Sequence, residues 1–283
     1  MKKLIIFLMI MSGTQLFAQT DKIDSLLNDL VYNDSDPLIM PEKPVKFDFL
    51  YAGGSLSSKS FYAGREIGSD MLSITGNIFY YNSTGLFMGV SGNWYDQLTP
   101  AYSNTTVSAG FSTALDKKKL FTFRTSYSRF IYNTPDTASY YPYANNLNLG
   151  LSFRKSWIGL RVSGNLLFGD ESRINISPAL FTRFTIIKLG KYNKIYTAPE
   201  VSAFFTSETV STTQNTDPTL NTDEVFGLLN TQLYVPLGIS VGNFDFEFSL
   251  SQNIPTTNDV NISYPAKTFY SVSVGYMVPI VKK

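Results

Sequence analysis

Phe244-Asp245-Phe246-Glu247-Phe248-Ser249-Leu250-Ser251 decides how the rest of the chain is read. Every second residue is large and apolar, and those between are acids or hydroxyls. In an extended strand successive side chains point to opposite faces, so this stretch has one phenylalanine-rich face and one polar face. At a helical period of about 3.6 the same phenylalanines would be scattered around the axis.

The pattern spreads outward in both directions. Downstream, Tyr270, Val272, Val274, Tyr276 and Val278 alternate with Ser271, Ser273 and Gly275. Upstream, Leu229, Leu233, Val235, Leu237 and Ile239 oppose Asn230, Gln232 and Ser240. Leu147, Leu149, Leu151 and Phe153 oppose Asn146, Asn148, Gly150 and Ser152. Ile74, Ile78 and Tyr80 oppose Ser73, Thr75 and Asn77, and Phe47, Phe49 and Tyr51 oppose Lys46 and Asp48. Residues 45–283 thus read as about twelve strands of the roughly 9–11 residues that a tilted membrane strand needs. Short turns (82–85, 116–119, 155–156, 188–193, 242–243) alternate with longer connections (54–70, 96–104, 132–144, 207–224, 255–267), the short 169–173 being the exception. Pro178, Pro199 and Pro236 fall inside expected strands, where each removes a ladder donor.

Composition says which face meets what. Charged residues are only 16% against roughly 25% in soluble domains, and aromatics are 15%. The polar face is Ser, Thr, Asn and Gly, whereas a soluble sandwich turns Lys and Glu to water. An apolar exterior in lipid around a small polar interior accounts for both. Closure is then required, because an open edge in hydrocarbon leaves backbone groups unpaired. The expected fold is all-β, an antiparallel transmembrane β-barrel with a short N-terminal helical segment. Trp94, Tyr127, Phe168 and Tyr270 are expected in one interfacial girdle, and Tyr80, Phe121 and Phe153 in the other.

The N-terminus supplies an address. Lys2 and Lys3 precede an apolar run over 4–11, and Ala18 precedes Gln19, which reads as a secretory signal over 1–18 cut after Ala18. Residues 19–44 read as a periplasmic segment: Ile23, Leu26, Leu27, Leu30 and Val31 share one helical face, followed by a linker with Pro37, Pro41 and Pro44. With this Ala-Gln signal end and the alternating strand from Tyr270 to Val278, the mature region resembles the uncharacterised outer-membrane barrels of Gram-negative bacteria. That resemblance implies the outer membrane as location and the barrel-assembly machinery as a partner, besides outer-membrane lipid. The ending Lys282-Lys283 departs from the aromatic terminus common in such barrels.

Cys and His are both absent. This excludes disulfides, Ser–His–Asp and Cys–His catalysis, and thiolate or histidine metal sites. The expectation is no enzyme, no cofactor and no metal. A net charge of +1 without a basic stripe gives no footprint for nucleic acid. The constellation that remains is a set of charges on the inward parity near the periplasmic strand ends: Asp48, Arg124, Arg161, Arg183, Glu200, Asp245 and Glu247. At similar height they would form a lumenal belt, arginines pairing with Glu200 and Glu247. Such a belt is either a selectivity constriction for a small polar solute or a network that closes the lumen. Tyr132, Tyr140, Tyr141 and Tyr143 are candidate binding residues in an outer loop. The alternative to a channel is a closed binding or scaffolding barrel that engages a surface or periplasmic protein through such loops or the N-terminal helix.

Overall fold

The computed structural model describes residues 48–62, 65–66, 71–133, 142–189, 193–211, 222–258 and 263–280. The expected signal peptide, N-terminal helix and linker, together with Tyr140 and Tyr141, lie outside them. Twelve barrel strands follow in chain order: β1 Asp48–Ser57, β2 Ser73–Tyr81, β3 Leu86–Tyr95, β4 Tyr102–Ala114, β5 Phe121–Tyr132 and β6 Tyr143–Lys155. Then come β7 Ile158–Gly169, β8a Ser172–Thr182 with its continuation β8b Phe184–Lys188, and β9a Lys194–Thr197 leading into β9b Glu200–Ser211. The ring is completed by β10 Thr222–Val241, β11 Phe244–Pro255 and β12 Lys267–Ile280. Each strand pairs antiparallel with its sequence neighbours, and β12 pairs with β1 from Asp48↔Ile280 to Ser57↔Ser271. The sheet therefore has no open edge within the ring.

Alternation sorts the two faces as the sequence reading expects. Ile78, Met88, Leu149, Leu160, Val235 and Phe248 are each exposed over about half of their surface or more in the isolated chain. Their polar neighbours Asn148, Ser249 and Ser251 are buried on the inner face. Apolar side chains pointing away from a polar interior are stable only against lipid, so the exterior is a membrane surface. Aromatics gather at its two rims. Trp94 packs against Tyr102 at 4.8 Å with the rings tilted, and exposed Tyr127 and Tyr270 lie toward the same end. Phe121–Phe153 at 5.0 Å, Trp157–Phe184 at 5.5 Å and Phe244–Tyr276 at 4.5 Å mark the other end. Trp157, in a turn, belongs to a girdle that strand periodicity could not reveal.

Two of the tight turns place a glycine in the left-handed region. Gly85 has φ 97° and closes the 82–85 turn, where Thr84 N–H also donates to Asn82 Oδ1 at 2.9 Å. Gly242 has φ 59° in the two-residue turn between β10 and β11. Both stand at the end that holds the chain's described termini, the periplasmic end.

The prolines are accommodated by neighbouring hydroxyls. The β8a–β9b register places Ala203 opposite Pro178, which has no N–H to offer. Ser177 Oγ donates to the Ala203 carbonyl instead, at 3.2 Å. Pro199 forms the break between β9a and β9b, and its carbonyl accepts from Thr182 N–H at 2.9 Å. The carbonyl of Pro236, on the neighbouring strand, accepts from Thr197 Oγ1 at 2.6 Å. Ser177→Ala is expected to cost about 1–2 kcal/mol, because a carbonyl shielded from water loses its donor. Urea unfolding from lipid vesicles, followed by tryptophan fluorescence, measures it.

The face of β1 is the reverse of the expected one. Phe49 and Tyr51 point inward and pack with Phe79, Tyr81 and Phe87, so Asp48 has the outward parity. It is buried at the rim, accepting from Tyr80 Oη at 2.6 Å and from Ser83 N–H at 3.1 Å. Asp48 therefore ties the start of β1 to the β2–β3 turn and is no part of a lumenal belt. Leu229 departs too: it sits at a bulge where β10 shifts register against β9b, and it is buried rather than lipid-facing.

Candidate functional site

Five rings lie on the inner face, each over a glycine. Phe79 covers Gly89, Phe87 covers Gly110, Phe181 covers Gly159, Tyr196 covers Gly238, and Tyr51 covers Gly53 and Gly275. In the first four the ring and the glycine are direct cross-strand partners. A Cβ at any of these glycines would collide with the ring, so the absent side chain is what lets the ring lie flat on the wall. Flat rings then seat arginines. The Arg124 guanidinium is 4.5 Å from the Phe87 centroid, Arg183 is 4.6 Å from Tyr196, and Arg161 is 5.8 Å from Phe181. Glycine, ring and guanidinium thus recur as a three-layer unit at three places on the periplasmic half of the wall. Stacking on a ring face leaves a guanidinium's N–H edge free to meet other groups.

The acids are held by separate partners. Arg161 Nη2 donates to Glu200 Oε1 at 2.8 Å and to Oε2 at 2.9 Å. The two side chains are 12% and 17% exposed, so the pair is largely desolvated. Asp245 accepts from Ser240 Oγ at 2.8 Å and from Tyr196 Oη at 3.0 Å, the hydroxyl of the ring that carries Arg183. Glu247 accepts from Tyr234 Oη at 2.7 Å. Of the seven charges expected as a belt, six point inward near the periplasmic strand ends. Arg161 and Glu200 form the expected ion pair, and Tyr196 links Arg183 with Asp245. Lys194 was not foreseen: it shares the inner face with Ser240, its ammonium 5.5 Å from the Tyr196 ring.

The charges are unevenly spread around the ring. Arg124, Arg161 and Arg183 come from β5 to the end of β8a, with Glu200 beside them on β9b, whereas Asp245 and Glu247 come from β11. In a closed ring of twelve, β5 and β11 stand six strands apart, on opposite walls.

The tyrosines expected on an outer loop are placed otherwise. β5 extends to Tyr132 and β6 begins at Tyr143, so both belong to the wall. Tyr143 is 4% exposed and packs with Phe130 and Leu167, and its carbonyl accepts from Tyr132 Oη at 2.8 Å. Strands longer than their clear alternation drew these residues out of the loop. Among the described residues no group of acids could hold a metal ion.

No protein-family model and no curated protein matches the chain. Among solved structures it is similar to an outer-membrane channel from Pseudomonas putida F1, with 11% identity and a TM-score of 0.47 over 87% of this chain and 100% of that one. It is also similar to the KdgM porin solved in complex with disordered oligogalacturonate, at 10% identity and TM-score 0.44, over 82% and 98% of the two chains. For the NanC porin the values are 8%, 0.44, 81% and 98%. Closed on itself, apolar outside, polar and charged within, the chain is an outer-membrane β-barrel.

Proposed function

We propose that the barrel is a passive channel or small-solute transporter whose filter is the charged belt at the periplasmic end. The observation that carries this reading is the inward placement of Arg124, Arg161, Arg183, Glu200, Asp245 and Glu247 near the periplasmic strand ends, with Arg161 and Glu200 paired. Holding charges inside a membrane protein is costly and is usually tied to ion or solute passage. Rings seated on glycines hold the arginines against the wall, and Arg161 is held further by its bond to Glu200.

A second reading has its own support. Asn104, Thr106, Asn175 and Thr206 point inward and have no exposed surface, which favours a filled interior. The barrel would then bind or scaffold a partner through outer loops or the segment at 21–31. Planar-bilayer recording separates the two. The channel reading expects unitary currents, and Asp245→Asn with Glu247→Gln should move the reversal potential toward anion preference. A silent bilayer with folded protein inserted would sink it. Loss of a co-purifying protein on deleting 21–31 would then favour the scaffold.

A further inference from the structure

The lipid-facing side of β5 carries one residue that does not suit hydrocarbon. Tyr127, Arg129 and Ile131 share the outward parity, with Val107 opposite Arg129 on β4, and all four are exposed in the isolated chain. Among the described ring strands, Arg129 is the one cation on the outward face of the outer half; Arg173 and Lys267 there have the inward parity. Arg129 stands two residues beyond Tyr127 of the outer girdle and eight beyond Phe121 of the periplasmic one. At about 3.3 Å per residue and a tilt of about 40°, that is roughly 20 Å up an apolar band of about 25 Å. The guanidinium is therefore at the headgroup boundary of the outer leaflet.

A bulge builds the seat for it. β6 shifts register against β7 between Tyr143 and Asn145, so Tyr143 turns to the lumen and Asn145 to the outside. Asn145 is only 9% exposed beneath its neighbours, and its amide is engaged at both ends. Oδ1 accepts from Tyr127 Oη at 2.6 Å and from Arg129 Nη1 at 2.8 Å, and Nδ2 donates to the Phe168 carbonyl at 3.2 Å. The amide thus fixes one edge of the guanidinium and takes one of its five N–H donors. The others meet no acid among the described residues.

We propose that Arg129, braced by Asn145, binds the phosphate group of a lipid in the outer leaflet. A guanidinium at this height without a counterion is costly, and a phosphate matches its planar fork with two parallel bonds. Tyr127 gives its proton to Asn145, so the attraction for an anion rests on Arg129. The layering fits a ligand: the amide is buried below, and the guanidinium lies above it, open to the membrane. The site is outside the lumen and stands whether or not the barrel conducts.

The test uses the mature barrel folded in detergent. Native mass spectrometry counts the lipid retained from diphosphoryl lipid A and from lipid A stripped of its phosphates. Wild type should hold the phosphorylated form at least about tenfold more tightly, as charge-assisted bonds allow. Arg129→Gln should lose that preference, and Arg129→Lys, which keeps the charge without the fork, should fall between. Asn145→Leu leaves the cation but removes its brace, and should weaken retention about threefold. Lys155→Gln, at the periplasmic rim, should match wild type. Heat-modifiable migration on a gel checks that each variant is folded; should Arg129→Gln fail there, Arg129→Lys and the stripped lipid decide. Equal retention of the two lipids by wild type, an undiminished preference in Arg129→Gln or Arg129→Lys, or an equal loss in Lys155→Gln would each overturn the site. Displacement of the lipid by equimolar inorganic phosphate would overturn it too, by making the free anion the ligand.

Discussion

Leu149→Arg should destabilise the barrel by about 2–4 kcal/mol, the cost of an arginine on the lipid face near the bilayer midplane. Leu149 is the seventh of the 13 residues of β6 and is 49% exposed in the isolated chain, so its side chain projects from the centre of a spanning strand. The same strand supplies its own control. Lys155, at the periplasmic end of β6, is exposed in the wild-type chain, and a charge at that height is solvated. Leu151→Arg, two residues nearer that end, should therefore cost less than Leu149→Arg. Reversible unfolding in urea from vesicles provides the readout through Trp94 and Trp157, both on the outer surface. A depth-dependent penalty supports the lipid-facing assignment. A flat profile within about 0.5 kcal/mol at both sites would mean that this face meets water.

That assignment was legible because a strand's period is two. Alternation tells which residues share a face, and on β6 the contrast of Leu147, Leu149 and Leu151 with Asn146, Asn148 and Gly150 also tells which face is inside. On β1 the period was equally clear but its sense was not. Phe49 and Tyr51 look like lipid-facing residues until their neighbours across the strand, Tyr81 and Phe79, are known to line the lumen. The sign was set by cross-strand packing on glycines, and the signal for it was present: Phe79 and Phe87 share a parity with Asn77 and Ser91, opposite Gly89 and Gly110. A large ring on the polar parity facing a glycine on the next strand marks an inward aromatic. For the charged residues, parity and strand end gave the height, which six of the seven keep. Pairing could not be read the same way. Arg161 and Glu200 are 39 residues apart and meet only because β7, β8a and β9b lie side by side in the register they have. Register depends on side-chain fit along whole strands, and Pro199 and the bulges shift it locally.

That pair carries the larger expected effect. Glu200→Leu should cost about 3–5 kcal/mol, because it strands the Arg161 guanidinium in a site only 12% exposed. Arg161 lies 5.8 Å from the Phe181 centroid, and Phe181 lies on Gly159, so the arginine has limited room to swing toward water. Restoring neutrality should restore most of the loss. Arg161→Met combined with Glu200→Leu is expected to fall within about 1–2 kcal/mol of wild type, since an ion pair replaced by apolar groups of similar volume is often neutral. The double-mutant cycle then returns a coupling of several kcal/mol, far above the roughly 0–1 kcal/mol of a solvated surface pair. The same variants report on permeation. If the pair only holds the wall together, the double variant conducts with wild-type selectivity. If it belongs to the filter, stability recovers while selectivity does not, and that divergence would separate the belt's role in passage from its role in the fold.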